Sequence, residues 1–183
     1  MPFEFQSLPL AGLKLIVPRV FHDERGAFME TFKESDFAAA GIPGPFVQDN
    51  LSTSRKGVIR GLHFQKEPHA QAKLVQVLSG AIFDVVVDLR PGSPDYGKWL
   101  GVPLDETRPA ILYVPAGFAH GFQAVSEKAV VLYKSSSPYH PDSEAGVAWD
   151  DPDLAVAWPL AAPLLSGKDK AQPSWRAFQF NQR

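Results

Sequence analysis

The 183-residue sequence contains no cysteine and only two methionines. Disulfides, thiol nucleophiles, cysteine-ligated zinc and iron–sulfur clusters are therefore excluded. Neither sign of charge is in excess: 18 Lys and Arg stand against 20 Asp and Glu, a formal net charge of −2. That balance argues against a general binder of nucleic acid or of a membrane surface. Long apolar runs are also missing. None reaches the roughly 18 residues of a spanning helix, and Ala81 to Val87 is interrupted by Asp84. The start, Met1-Pro2-Phe3-Glu4-Phe5, has neither the basic flank nor the apolar core of a secretion signal, so a cytoplasmic location is expected. Repeats, low-complexity tracts and linker-like boundaries are absent as well, and one domain over residues 1–183 is expected.

What the chain does have is proline. Seventeen of them, with 14 glycines, favour many short elements joined by stiff turns, because proline cannot donate to a sheet ladder and breaks helices. Five runs read as strands: Leu13 to Val17, Lys73 to Leu78, Ile82 to Leu89, Ile111 to Val114 and Val130 to Tyr133. Each is rich in β-branched or aromatic residues and bounded by turn formers. Gly80 is placed to join two of them as a tight hairpin. Helix signals are few: Ser35 as N-cap of a short helix closed by Gly41, and Ser166 as the cap of a turn near Lys168 and Asp169. An all-β antiparallel barrel or sandwich with a few short helices is expected.

Without cysteine, any metal would rest on the five histidines and the carboxylates. Two segments concentrate candidates: Gly57 to Gln65 with Lys73 and Gly80 beyond it, and Val114 to Phe122. They resemble the two signatures of the cupin β-barrels, with Gly57 and His63 in the first and Pro115, Gly117 and His120 in the second. Two positions depart from the metal-binding pattern. Gln65 stands where a second histidine belongs and Lys73 where a carboxylate belongs. A lysine ammonium has no lone pair to give, and His63 with His120 falls short of three protein ligands. No metal and no cofactor are expected.

The same residues suit proton chemistry. A neutral imidazole removes protons near pH 7, which makes His63 a candidate base. Carbon acids yield a proton only beside a carbonyl whose enolate is stabilised, and Lys73 is the candidate for that oxyanion. Tyr133, ending an apolar strand, is placed to return the proton on the opposite face. Such a pair inverts a stereocentre. On a regular strand Ile59, Gly61, His63 and Gln65 share one face and Arg60 the other, unless Gly61 marks a bulge. Plainer readings stand beside these: a core histidine at His63 or His120, solvated charges at Lys73 and Arg60, barrel aromatics at Tyr133 and Tyr139, a turn residue at Asp169. His22, His69 and His140 read as surface residues.

A longer set of strings is similar to the dTDP-4-dehydrorhamnose 3,5-epimerase family. It runs Phe21-His22-Asp23-Glu24-Arg25-Gly26, Phe28 and Glu30, Phe46 to Asn50, Arg60 to His63, and Lys73 to Val75. It continues with Ser93-Pro94, Tyr96-Gly97, Trp99, Val114 to Phe122, Trp149 and Leu165 to Asp169. The resemblance implies a metal-free cupin that epimerises C3 and C5 of a dTDP-4-keto-6-deoxyhexose. It further implies His63 as base, Asp169 as its carboxylate orienter, Tyr133 as acid and Lys73 at the enolate. Arg25, Glu30, Gln48, Asp49, Asn50, Arg60, His120, Glu144 and Lys168 fall at substrate-binding positions, and Tyr139 at a thymine-stacking one. The family resemblance also implies a homodimer with an exchanged N-terminal segment, and leaves open whether Arg60 serves its own site or its partner's. Three alternatives remain: a 3- or 5-mono-epimerase of another dTDP-sugar, a metal-dependent cupin oxygenase, and a non-catalytic nucleotide-sugar binding module.

Overall fold

Strand propensity and turn spacing resolve into thirteen strands among residues 2–180, which the computed structural model describes. They are β1 Phe3–Ser7, β2 Lys14–Pro18, β3 Val20–Asp23, β4 Gly26–Met29, β5 Gln48–Arg55, β6 Ile59–Gln65, β7 Lys73–Ser79 and β8 Ala81–Asp88. β9 Trp99–Asp105, β10 Ile111–Val114, β11 Phe118–Ala124, β12 Lys128–Ser135 and β13 Glu144–Gly146 follow, with three short helices, α1 Glu34–Ala39, α2 Gly167–Lys170 and α3 Trp175–Phe180. Two antiparallel sheets form a jelly-roll barrel. One has the order β1-β2-β10-β7-β12-β5, the other β13-β6-β11-β8-β9, and β3 with β4 makes a separate hairpin.

The apolar runs are long because several strands are covered on both faces. Val75, Val77, Ile82, Val86, Leu112 and Phe122 meet between the sheets. Alternate residues of the five-stranded sheet, Leu62, Val85, Val87 and Ala119, lie instead under Leu154, Trp175 and Phe178 of the C-terminal segment. On the outer face of the six-stranded sheet, Phe3, Ile16, Leu74 and Ile111 pack with Phe37 of α1. Burying a phenylalanine such as Phe37 contributes roughly 2–3 kcal/mol, enough to hold a helix too short to stand alone.

Two turn expectations are corrected. Gly80 does not close a hairpin: β7 pairs with β10 and β12, whereas β8 pairs with β11 and β9. The chain crosses from one sheet to the other there, at φ +81° and so close to the Lys128 carbonyl that only glycine fits. Ser35 does not cap α1; Lys33 occupies the N-cap, with no side-chain capping bond to a helix N–H but an ion pair to Asp36 of the first turn (3.2 Å). The helix is held at its other end, where Gly41 N–H bonds to the Ala38 carbonyl and Ile42 N–H to that of Phe37, the paired bonds of a Schellman stop. Ser166 does cap α2, accepting from Asp169 N–H.

A bulge in β6 decides which side chains enter the barrel. His63 pairs with His120 and Arg60 with Phe122, so three residues on β6 match two on β11. His120 and Phe122 share a face, and the extra residue therefore brings Arg60 and His63 to the same side. The regular-strand grouping of Ile59 and Gly61 with His63 fails for that reason. Gly61 (φ +139°) permits the bulge, and a Cβ there would sit 2.5 Å from the Gly121 Cα.

Candidate active site

A cavity of about 240 Å³ opens between the sheets, lined by Gln48, Asn50, His63, Lys73, Tyr133 and Glu144, with Tyr139 at its edge. Strand alternation assembles it. Asn50, Tyr133 and Val75 stand in one cross-strand row, and Gln48, Ser135 and Lys73 in the next. Polar side chains two residues apart thus fall on the inner face of β5, β12 and β7.

His63 is backed by Asp169, whose Oδ1 lies 2.6 Å from Nε2. The oxygen sits off the ring's N–H direction, so the close approach is not an aligned hydrogen bond, and it becomes an ion pair only when the ring is protonated. Gly61 N–H (3.3 Å) and Ser166 Oγ–H (2.6 Å) donate to the Asp169 carboxylate and hold it in place. Burial pushes the His63 imidazole below its ordinary value; Asp169 opposes that shift, and Lys73 adds to it. The ring is consequently neutral at pH 7. Burial also brings the Lys73 ammonium down to about 8, against the upward pull of Asp84 and Glu144. The Tyr133 phenol is pushed up by burial, with Arg60 working the other way.

At the mouth, Tyr139 Oη–H donates to Glu144 Oε2 (2.5 Å), and Lys168 forms an ion pair with the same carboxylate. Burial alone would raise Glu144, but the bonds from Lys168 and Tyr139 hold it below the ordinary carboxylate value. Gln48 Nε2–H donates to Asn50 Oδ1 (2.9 Å), and Gln48 Oε1 accepts from Tyr139 N–H (2.9 Å), tying strand to loop.

The remaining expected residues lie elsewhere. Arg60 is exposed beside the opening, its Nε donating to Ser54 Oγ (3.0 Å) and its Nη2 to the Thr53 carbonyl (3.2 Å). Asp49 points out of the barrel to Lys134 Nζ (2.9 Å). His120 is buried, its Nε2 2.9 Å from Asp84 Oδ2, and does not line the cavity. Arg25 and Glu30 are exposed on and after the β3–β4 hairpin, with the Arg25 guanidinium on Asp23. Within a single chain neither reaches the cavity.

Sequence reading missed several neighbours. Ser135 lines the cavity two residues after Tyr133 and was legible from strand alternation. Gln65, expected on the His63 face but given no role, donates from Nε2–H to the His69 (2.7 Å) and Pro138 (3.1 Å) carbonyls; Gln71, which carried no signal, donates from Nε2–H to that of Ser137 (2.6 Å). Together they brace the loop bearing Tyr139. His69 and His140, expected at the surface, are half-buried and stack on each other at 3.5 Å beneath that loop. His22 is exposed as expected.

Comparison with known proteins places this geometry. The model of the dTDP-4-dehydrorhamnose 3,5-epimerase family matches residues 7–177. The chain belongs to that family. It is 47% identical, over 98% of its length and 96% of the other, to the dTDP-4-dehydrorhamnose 3,5-epimerase of Methanothermobacter thermautotrophicus. The crystal structure of the dTDP-4-dehydrorhamnose 3,5-epimerase from Elizabethkingia anophelis superposes with a TM-score of 0.93 at 44% identity, covering 97% of this chain and 98% of that one. A dTDP-4-dehydrorhamnose 3-epimerase of Streptomyces niveus is 46% identical over 90% of this chain and 80% of its own. The fold is that of these epimerases, the cupin-type jelly roll expected above.

Proposed function

We propose that the protein inverts C3 and C5 of dTDP-4-keto-6-deoxy-D-glucose to give dTDP-4-dehydro-L-rhamnose. The observation that carries this reading is the meeting of a neutral imidazole, an ammonium and a phenol around one cavity. His63, with Nε2 held against Asp169, takes the proton from the carbon α to the C4 ketone through its other nitrogen. The C–H electron pair moves into the ring to form the enolate, and Lys73 stabilises the oxyanion. Tyr133 then protonates the same carbon from the opposite face as the ketone re-forms. The imidazolium then loses its proton to solvent and the tyrosinate regains one, so that C3 and C5 are inverted in turn by the same three groups.

The cavity is smaller than the roughly 300–1,000 Å³ of sites that enclose a drug-sized ligand. It suits the hexose, with the nucleotide lying outside across Gln48, Asn50, Glu144 and Lys168. The exposed Tyr139 ring offers its face to thymine, and Arg60 a fork to the diphosphate. Further walls would come from a second copy. Phe21 and Phe28 on the β3–β4 hairpin are 46% and 66% exposed, and Val47 and Leu51 on or beside the edge strand β5, whose outer edge is open, are 52% and 63% exposed. A hairpin exchanged within a homodimer would cover both patches and bring Arg25 and Glu30 to the partner's site. No helix among the described residues is long and apolar enough to cross a membrane, which suits a cytoplasmic enzyme acting on a nucleotide sugar.

The 46%-identical 3-epimerase keeps a mono-epimerase as the second reading. Deuterium incorporation from solvent into dTDP-4-keto-6-deoxy-D-glucose, read position by position, separates the two. Label at C3 and C5 is expected; label at one carbon establishes the mono-epimerase, and none overturns the proposal. His63→Ala should abolish the exchange while leaving the unfolding midpoint close to wild type.

A further inference from the structure

Asp84 is fully buried on β8, inside the barrel. Its neighbours on the same strand face, Ile82 and Val86, belong to the apolar cluster between the sheets, together with Val75 of β7. A carboxylate in such surroundings is retained only beside cations or strong donors. Half of its need is met, because His120 Nε2 lies 2.9 Å from Oδ2. Oδ1 is buried and has no hydrogen-bond partner. Lys73 stands on β7, in the opposite sheet, and is not in direct ion-pair contact with it; burial pushes the Asp84 carboxyl up, and His120 and Lys73 act against that shift.

We propose that Asp84 is a positioning residue of the epimerisation: clamped by His120, it is the buried counter-ion that keeps the Lys73 ammonium charged when the enolate forms. The proposal rests on the epimerase reading of the cavity. The other titratable groups facing them are His120 from β11, Glu144 from β13 with Lys168 paired to it, and His63 from β6 with Asp169 against it; Tyr133 of β12 lines the same cavity as Lys73. Of these, only Asp84 and Glu144 hold Lys73 up against burial, Asp84 more strongly. Glu144 is already engaged by Lys168 and Tyr139. Asp84 has an oxygen, Oδ1, that no hydrogen bond engages among the described residues. A neutral Lys73 would have no charge to offer the oxyanion, and the network prevents that state at pH 7.

The test is Asp84→Asn, which keeps the shape and removes the charge. With lysine carrying 13C at Cε, NMR titration of the substrate-free protein should show the Lys73 midpoint falling by about one pH unit or more. The alkaline limb of the kcat profile should move in the same direction. In a Lys73→Met background the same substitution should cost no further activity. An unmoved Lys73 midpoint, or an equal loss of activity in both backgrounds, overturns the proposal. If Asp84→Asn does not fold, Lys73→Met supplies the reciprocal reading: the Asp84 carboxyl midpoint must rise, and no rise overturns it. Failure of the epimerase reading itself would appear separately, as wild-type protein that exchanges no substrate hydrogen.

Discussion

Replacing Asp169 by asparagine isolates the charge behind the base. With its oxygen at the Oδ1 position the asparagine still accepts from Gly61 N–H, and its amide NH2, at the Oδ2 position, can donate to Ser166 Oγ in place of accepting from it, so the geometry should persist. What disappears is a negative charge 2.6 Å from His63 Nε2 on a side chain only 6% exposed. As the reaction proceeds, the imidazole becomes an imidazolium, and the charged ring can draw the adjacent carboxylate into a charge-assisted hydrogen bond worth about 1.5–3 kcal/mol. At 1.36 kcal/mol per decade this corresponds to a fall in kcat of about 10- to 150-fold. The sign of the pH effect is independent of that magnitude. Asp169 raises the His63 pKa, so its loss lowers it, and the acid limb of kcat/KM must shift to lower pH. Turnover of dTDP-4-keto-6-deoxy-D-glucose, followed across pH by product NMR, measures both quantities. An unchanged kcat, or an acid limb displaced to higher pH, would refute the pairing.

Gly61→Ala should cost about 3 kcal/mol or more, since its Cβ would meet the Gly121 backbone and its φ suits glycine alone; denaturant unfolding measures this. Activity should fall further than stability alone explains, because the bulge aims His63. Arg90→Ala removes two hydrogen bonds from the fully buried Asp88, and about 2–3 kcal/mol of stability should go with them. Burial would raise Asp88, but Arg90 and Ser93 hold it below the ordinary value. Its contribution is therefore complete above about pH 4 and is lost as pH falls through the lower folded value; thermal melts should show a smaller acid decline in Arg90→Ala. Phe28→Asp, on the exposed hairpin, should yield a monomer by sedimentation and a rise in KM. A dimer with unchanged KM would exclude the exchanged hairpin.

The sequence was most legible where burial covers both faces of a strand. β7, β8 and β10 read as continuous apolar runs because one side meets the opposite sheet and the other lies under α1 or the C-terminal segment. β5 was illegible for the converse reason: its inner residues Gln48 and Asn50 line a polar cavity, while Asp49 and Leu51 face outward. The bulge could be suspected at Gly61 but not fixed, since it depends on Gly121 lying opposite. His63, Lys73 and Tyr133 were found by type and motif, and the structure brings all three to one cavity. Asp84 escaped notice because in sequence it only interrupts an apolar run. Its relation to Lys73 exists across two sheets and has no local trace.

The C-terminal segment that covers the five-stranded sheet also delivers Asp169 to His63. It is fastened to the barrel by the Ile59–Leu164 and Leu164–Gly57 backbone bonds, the paired bonds between Gln123 and Leu160, the Gly61 N–H bond to Asp169, and the packing of Trp175 and Phe178. Segments held this way open before the whole molecule does. Peeling this one back would strip the base of its carboxylate while the two sheets stayed paired. Heat or protease should thus extinguish catalysis ahead of the unfolding transition, and loss of activity will report the detachment of a strap rather than the melting of the barrel.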